Sequence, residues 1–345
     1  MSLRIDTSFK MLGYMESEIG GRAENQDSAG AQDTKLGTIV VVCDGMGGMN
    51  GGKTASMLAV QTIVDDVAAA ETDASPQDVL KDAFKHAHEV LLDQAKKSPE
   101  LKGMGTTATA LLLSKRHAVI AHTGDSRVYQ FRGRKKVFRT DDHSMVFQYV
   151  KAGNLTEEQA RLSSQSNLIL KALGVDCDIT PDIAVVPYLK GDRFVLCTDG
   201  FWGALSERDF IRLITKKGNL ENILWDATKE INKIGLMGGG GHDNLTAAII
   251  DIKCESKIKP RMSKALKIIL TTLVLLLASS VYINYTVFSK FKVASEFAEE
   301  LNKNADTTSL SKSQKEFMAA FAEKKAPCKD AADEGGSEDK DTGKK

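Results

Sequence analysis

Five short segments that contain aspartate recur along this chain, and together they predict one metal site. Asp44 and Asp199 each follow a short apolar run, and glycine comes directly after both. A carboxylate at the end of a strand, followed by Gly, is firmly held and sterically open. Carboxylate and water ligands without His or Cys suit hard cations such as Mg²⁺ or Mn²⁺. The segments are Arg22–Asp27, Asp44–Gly48, Gly124–Arg127, Thr198–Gly200 and Asp243–Asn244.

The composition limits the classes of protein that need to be considered. A chain of 345 residues allows one large domain or two small ones. Its formal net charge is zero, so there is no electrostatic case for nucleic-acid binding. The five cysteines show no CxxC pairing, which favours buried thiols in a reducing compartment over a disulfide framework. The first residues lack an apolar core, so we expect no secretory signal peptide.

One segment near the C-terminus is predicted to cross a membrane. Ile268–Phe288 carries no charged residue and is long enough for a bilayer core of about 30 Å. Basic residues are in excess before this segment, which predicts that the N-terminal side is cytoplasmic. Residues 289–345 would then be an extracytoplasmic tail, disordered at least over its charged end at 330–345. A buried core helix is the alternative, and the basic flank fits it less well.

Residues 1–255 are predicted to form a single domain, followed by a basic linker at 256–267. Apolar runs joined by short links are typical of antiparallel strands, because parallel strands need long crossovers. The patterns predict an α+β fold, a four-layer α/β/β/α sandwich of two antiparallel sheets flanked by helix pairs. Strands are predicted at 38–42, 106–113, 118–122, 128–131, 136–139, 183–186, 193–197 and 245–252. Helices are predicted at 53–70, at 76–97, from 206 onward and at 219–234.

A second motif supports an alternative function. Gly47–Thr54 matches the phosphate-binding pattern G-x-x-x-x-G-K-[ST], after a predicted strand and before a predicted helix. A nucleotide-binding NTPase that depends on Lys53 is therefore one alternative. Three points oppose it: Asp44 would lie beside the polyphosphate, antiparallel strands do not fit the parallel sheet of such proteins, and three aspartate segments would have no role. A non-catalytic phosphoprotein-binding scaffold is the other alternative.

The ordered series of motifs resembles a known family. RAENQD, DGMGG, GTTAT, GDSR, TDG and DN are similar to the motifs of metal-dependent protein Ser/Thr phosphatases of the PP2C class, above all the bacterial members. The resemblance extends over roughly residues 11–251. Each motif alone is weak, but six in this order and at these separations are specific.

The resemblance implies a set of metal ligands. Asp44 would bridge two Mn²⁺ or Mg²⁺ ions, with the carbonyl oxygen of Gly45 completing one shell. Asp199 and Asp243 would hold the second ion, and Asp27 would act directly or through a bound water. Two such ions can share a water and lower its pKa, so that it attacks phosphorus in line without a phosphoenzyme.

The resemblance also implies roles outside this pair of ions. Arg22 would bind the substrate phosphate, which suits a guanidinium that meets two oxygens at once. Asp125 matches the position that, with Asp199, binds a third ion in many bacterial members. Met46 replaces a His that is thought to protonate the leaving group in many eukaryotic members. The variable flap would be 154–167, and the partners would be phosphorylated proteins and a cognate Ser/Thr kinase.

Other polar residues are interpreted as structural. Asp142–Ser144 is expected to provide turn and capping contacts, and Thr106 and Thr107 are expected to pack within a strand. His88 is expected to face solvent from a helix. Asp125 has an alternative interpretation as a hairpin residue, since Gly-Asp-Ser is good turn sequence.

Overall fold

The computed structural model describes residues 2–175, 179–254 and 264–304, together with 312 and 316. It contains two compact units, Met1–Pro260 and Arg261–Lys345, and each is described by itself. The strands are β1 (Leu3–Arg4), β2 (Met11–Glu18), β3 (Asp27–Thr34), β4 (Gly37–Met46), β5 (Gly105–Thr106), β6 (Ala108–Leu113), β7 (Ala118–Thr123), β8 (Arg127–Arg132), β9 (Lys135–Arg139), β10 (Asp182–Val186), β11 (Asp192–Cys197) and β12 (Leu245–Ile252). The α-helices are α1 (Gly48–Ala69), α2 (Pro76–Lys97), α3 (Met145–Lys151), α4 (Glu157–Arg161), α5 (Asp199–Trp202), α6 (Glu207–Ile214), α7 (Leu220–Met237) and α8 (Lys264–Asn304).

The strands of the first unit form two antiparallel sheets. One has the order β1-β2-β12-β11-β8-β9, and the other has the order β10-β7-β6-β4-β3, with β5 paired to β4. Helices α1 and α2 pack on the second sheet, while α6 and α7 cover the first. The predicted α+β fold, a four-layer α/β/β/α sandwich, is confirmed.

The central strand β4 shows how a buried sheet contributes to two cores. Its side chains alternate between the two faces of the sheet, as in any extended strand. Ile39, Val41 and Cys43 pack against the α1–α2 layer, whereas Val40 and Val42 pack between the sheets. A strand buried on both faces has no polar alternation, which is why this apolar run was recognisable in the sequence.

Several predicted boundaries agree with the structure, and one predicted connection is wrong. Ser75 caps α2 and Asn219 caps α7, each through its side chain. The link at Gly124–Ser126 was predicted to join neighbouring antiparallel strands. It instead carries the chain from β7 in one sheet to β8 in the other. Asp125 is therefore not a hairpin residue.

Strands β2 and β3 and the burial of His88 were not anticipated. The β3 sequence, Asp27–Thr34, has no large apolar side chain, and its Gly30 leaves room for Val60 of α1: a Cβ there would lie 2.6 Å from Val60 Cγ1. His88 was predicted to face solvent. It is buried, and its Nδ1 accepts a hydrogen bond from the Gly174 N–H at 3.1 Å.

The second unit contains the apolar helix. The 41-residue α8 includes the predicted span Ile268–Phe288. Within it, Thr271–Glu296 has a mean hydropathy of 1.5 and no buried residue in its most apolar part, so it is a candidate membrane span by length and composition. Of the linker predicted at 256–267, residues 264–267 instead begin α8, and the rest lies outside the described residues, as does the predicted disordered end at 330–345.

The core between α2 and its sheet gives a test of the packing. Phe84 of α2 is fully buried, and Phe84→Ala would leave a cavity, so we expect it to lower the free energy of unfolding by about 3–5 kcal/mol. Lys85→Ala, on the exposed face of the same helix, should change it by less than about 0.5 kcal/mol. Urea denaturation followed by circular dichroism measures both. Equal effects would contradict this assignment of the core.

Candidate metal centre

All five aspartate segments meet at one end of the sandwich. They contribute to a cleft of about 790 Å³. Asp44 lies near the end of β4, Asp199 begins α5 directly after β11, and Asp243 precedes β12. Asp125 lies in the crossover between the sheets. The lining residues are Arg22, Ala23, Glu24, Gln26, Asp44, Gly45, Met46, Asp125, Asn167, Leu168, Ile169, Asp199, Asp243 and Asn244.

The structure therefore brings together most of the predicted site residues. Six of the seven line this cleft: Arg22, Asp44, Gly45, Asp125, Asp199 and Asp243. The seventh, Asp27, is buried behind it. Asp27 lies directly opposite Asp44 in the β3–β4 register, and its Oδ2 accepts a hydrogen bond from Thr198 Oγ1 at 2.9 Å.

Two threonines fix the backbone of Asp44. Thr106 Oγ1 donates to the Asp44 carbonyl at 2.8 Å, and the Asp44 N–H donates to Thr107 Oγ1 at 3.0 Å. The Thr107 N–H also donates to the Asp44 carbonyl, at 2.9 Å. Both threonines are buried and do not line the cleft, which agrees with the predicted packing role, but their hydrogen bonds to Asp44 were not predicted. They hold the main chain of Asp44 and leave its carboxylate oxygens available.

Glycines allow the segments to approach one another. A Cβ on Gly45 would lie 2.0 Å from the Gly52 carbonyl oxygen, where α1 passes close to β4. A Cβ on Gly200 would lie 2.1 Å from the Asn244 carbonyl oxygen. Since real Cβ contacts are never so short, any larger residue would push the segments that carry Asp44, Asp199 and Asp243 apart.

The turn that carries Asp125 is held on its N-terminal side by His143. The Gly124 N–H donates to His143 Nδ1 at 3.1 Å, and the His143 N–H donates to the Gly124 carbonyl at 2.7 Å. On α5, Trp202 Nε1 donates to the Asp125 carbonyl at 3.0 Å. These contacts bind only main-chain groups of the turn. Asp125 is 2% exposed, and its Oδ1 has no hydrogen-bond partner among the described residues.

An arginine holds the other side of the same turn. Arg127 Nε donates to Asp142 Oδ1 at 2.7 Å, and its Nη2 donates to Asp142 Oδ2 at 2.5 Å. The guanidinium also lies 3.3 Å from the ring centroid of Trp202. Asp142–Ser144 therefore has two roles: Ser144 caps α3 as predicted, while Asp142 and His143 position the Asp125 turn.

Asn244 joins the loops on the far wall of the cleft. Its Nδ2 donates to the Ile19 and Glu24 carbonyls at 2.7 and 3.0 Å, and its Oδ1 accepts from the Gln26 N–H at 2.8 Å. Asn244 belongs to the DN motif, but no role was predicted for it. Trp202 was missed altogether, although it lies three residues after Asp199 on the same short helix.

The carboxyl groups of the site are strongly perturbed. Burial is the largest cause, and it raises the pKa of Asp27 to about 7 and that of Asp199 to about 6. Burial, followed by the charge of neighbouring carboxylates, also raises the pKa values of Asp44 and Asp125 well above the usual range. The site therefore concentrates negative charge in a poorly hydrated place, which favours a bound cation.

The cationic side chains at the cleft offset this charge only in part. Arg22 Nη2 donates to Asp243 Oδ2 at 2.9 Å, but the arginine side chain is 50% exposed. At the rim of the cleft, Lys53 Nζ lies 3.7 Å from Glu24 Oε1. The lining carboxylates, the Gly45 carbonyl and the unpartnered Asp125 Oδ1 form an all-oxygen donor set that fits Mg²⁺ or Mn²⁺. Within the described residues, no group of three or more His, Cys, Asp or Glu side chains is arranged to hold a metal ion by itself, so a bound ion would need water and main-chain oxygens as further ligands.

Comparison with known proteins agrees with this fold and site. Residues 16–238 match the family model described as Protein phosphatase 2C. Protein phosphatase PhpP of Streptococcus pneumoniae is 32% identical over 238 residues, which cover 68% of this chain and 94% of PhpP. The S. agalactiae serine/threonine phosphatase structure aligns with a TM-score of 0.64 and 30% identity, over 70% of this chain and all of that chain. The catalytic domain of the serine threonine protein phosphatase PstP, solved with 2 manganese ions, aligns with a TM-score of 0.59 and 28% identity, over 70% of this chain and 98% of that chain.

This chain belongs to the protein phosphatase 2C family. It is accordingly a metal-dependent enzyme, and within that class a protein serine/threonine phosphatase, so its substrates are phosphorylated proteins. The two alternatives are not favoured. Most of the P-loop match at Gly47–Thr54 lies inside α1, which begins at Gly48, and the sheets are antiparallel.

The raised pKa values predict how pH affects the metal-free protein. Asp27 and Asp199 bind protons in the folded state that the unfolded chain releases near pH 4, so stability should fall as pH rises from about 4 to about 7. Asp125→Asn removes one buried charge. We expect it to raise the melting temperature in EDTA at neutral pH, by about 2–4 °C for each kcal/mol of relieved repulsion, and to have less effect near pH 4.

Thermal denaturation in EDTA at both pH values measures this difference. Asp73→Asn is the matched control, because Asp73 is exposed and lies outside the cleft. The control should melt like the parent protein at both pH values. A lower melting temperature for Asp125→Asn at neutral pH would show that the carboxylate is not repelled.

Proposed function

We propose that the carboxylates of the cleft are the metal ligands of this phosphatase. Asp44 would contact two ions, with the Gly45 carbonyl on one of them and Asp199 and Asp243 on the other. Asp125 would hold a third ion together with Asp199. The observation that carries the proposal is that these four carboxylates line one cleft, while side-chain hydrogen bonds fix the main chains of Asp44 and Asp125.

Asp27 has a supporting position in this proposal. It is 7% exposed, lies beside Asp44, and is held by Thr198. Its carboxylate would act on the metal directly or through a bound water. Mn²⁺ and Mg²⁺ both suit the oxygen donors, and we propose Mn²⁺ as the first ion to test.

Arg22 is proposed to bind the phosphate of the substrate. Its guanidinium is half exposed at the mouth of the cleft, and one of its nitrogens donates to Asp243. The other donors remain available for two phosphate oxygens at once. When bound, the metal ions lower the pKa of the attacking water and withdraw charge from the phosphate. Met46 lines the cleft but has no proton to donate to the leaving group.

A membrane-anchored enzyme is proposed for the whole chain. The apolar length of α8 and the basic residues before it support a single-pass protein with its catalytic domain in the cytoplasm. The tail would then be extracytoplasmic. A membrane-bound Ser/Thr kinase, or its substrates, would be the natural partner.

Hydrolysis of a phosphothreonine peptide tests the ligand assignment. With Mn²⁺ we expect turnover that EDTA abolishes. Asp44→Asn and Asp199→Asn should each lower turnover by about 100-fold or more, because each removes a proposed metal ligand and with it positive charge at the reacting phosphate. Arg22→Ala should act mainly by raising KM for the peptide. Asp73→Asn, outside the cleft, should leave turnover unchanged. Full activity in either aspartate variant would refute the assignment.

Cysteine labelling tests the membrane topology. A single cysteine placed near residue 330 of the full chain, in a background without the native cysteines, should react with a membrane-impermeant maleimide on intact cells. A cysteine introduced at exposed Lys85 in the catalytic domain should react only after lysis. The opposite pattern would reverse the topology.

A further inference from the structure

The strand ends opposite the metal centre carry an excess of exposed basic side chains. Since the cleft is built at one end of the strands, the hairpins and strand starts at the other end form a separate surface. We call it the tether-end face and define it by six exposed residues from five of its connections: Lys10, Lys115, Arg116, Arg134, Lys190 and Lys253. They precede β2, lie in the β6–β7 and β8–β9 hairpins, precede β11 and follow β12.

Hydrogen bonds show that these connections are neighbours in space. They link the start of β2 to the end of β12, the end of β12 to the turn before β11, and that turn to the β6–β7 hairpin of the other sheet. The bonds are Lys253 N–H to the Lys10 carbonyl at 2.9 Å, Gly191 N–H to the Ile252 carbonyl at 2.8 Å, and Tyr188 Oη to the Ser114 carbonyl at 2.6 Å. The tether-end face is therefore one surface spanning both sheets.

The basic charge of this face is largely unneutralised. Among the described residues, five of the six form no ion pair, and Lys253 lies 3.9 Å from Asp251. Most acidic side chains at the same end already have partners outside this set of six basic residues. Asp192 pairs with Arg132, Glu71 with Lys35, and Asp251 with Arg193. Asp33, which lines the same surface pocket as Lys115 and Arg116, accepts hydrogen bonds from Thr7, Ser8 and Thr38. Asp6 and Asp73 are exposed.

The chain leaves the catalytic domain from this same end. Strand β12 begins beside Asp243 in the cleft and ends at Ile252, about 25 Å away at roughly 3.3 Å per residue. Cys254 is the last described residue before the basic stretch of sequence that precedes α8. The chain therefore leaves the catalytic domain at the end that carries the basic face, opposite the end that carries the cleft.

We propose that the tether-end face binds the anionic surface of the membrane in which α8 is anchored. This inference rests on the proposed cytoplasmic placement of the catalytic domain. Exposed Lys and Arg side chains near an anionic leaflet are attracted to it additively, and the attraction decays within a Debye length of about 8 Å. Docking by this face would leave the cleft open toward the cytoplasm and its phosphorylated proteins.

Vesicle co-sedimentation of residues 1–255 tests the proposal without the apolar helix. This part is one compact unit, and relatives such as PhpP consist almost entirely of the matching region, so it can be expected to fold alone. We expect binding to phosphatidylcholine vesicles that contain phosphatidylglycerol but not to phosphatidylcholine alone. Binding should be lost when salt is raised from about 0.1 M to about 1 M, where the Debye length falls from about 10 to about 3 Å.

Two triple variants with the same change in net charge give the decisive comparison. Lys115→Gln, Arg116→Gln and Lys190→Gln together should weaken vesicle binding by on the order of 100-fold, about fivefold for each charge. The control combines Lys96→Gln, Lys97→Gln and Lys102→Gln, which are exposed near the cleft end of the domain, and should bind like the parent. None of the six residues substituted in these two variants lines the cleft. The parent and both variants should therefore hydrolyse a soluble phosphopeptide equally.

The outcomes separate this inference from the proposed function. Normal Mn²⁺-dependent hydrolysis without binding to anionic vesicles would overturn the tether-end face alone. Equal weakening by both triple variants would also overturn it, since only net charge would then matter, as would equal binding to neutral vesicles. Folded but inactive protein would instead refute the proposed ligands of the metal centre, whatever the vesicles show.

Discussion

The desolvation of several carboxylates in one place, together with their mutual repulsion, is the constraint on which the rest of this structure depends. Asp44, Asp125 and Asp199 are drawn into a poorly hydrated space, where each ion disfavours the next. A fold cannot gain stability from such an arrangement unless a cation is bound. The sandwich therefore has to supply enough packing energy elsewhere to hold these groups together, and its three separate apolar cores provide it.

The polar contacts around the cleft follow from the same constraint. Neutral hydrogen-bond donors next to the site bind main-chain carbonyls of the aspartates rather than their carboxylates, as Thr106 does for Asp44 and Trp202 does for Asp125. Arg127 is close to the site, but its Nε and Nη2 atoms donate to the carboxylate of Asp142. These main-chain contacts fix Asp44 and Asp125 without using their carboxylate oxygens, whereas both oxygens of Asp243 accept hydrogen bonds, from the Asn244 N–H and from Arg22.

The sequence predicted the parts of this molecule that have a periodic or local cause. The apolar run of β4 and the capped helix α2 are visible because burial on two faces and N-capping leave characteristic patterns. β3 could not be predicted, because its polar residues become a strand only through pairing with β4 and contact with α1. The site residues were recognised from motifs, while the contacts of Trp202 and His143 depend on a crossover between sheets that no local pattern reveals.

That crossover has a mechanical consequence. Asp125 is attached to the junction of two sheets, whereas Asp44 belongs to one sheet and Asp199 follows a strand of the other. The distances among the three carboxylates therefore depend on the offset between the two sheets. The side chains packed between the sheets determine that offset. The spacing of the metal ligands is thereby coupled to the packing between the sheets. Substitutions at Val42 or Phe194 would change the affinity for the cation without altering a ligand.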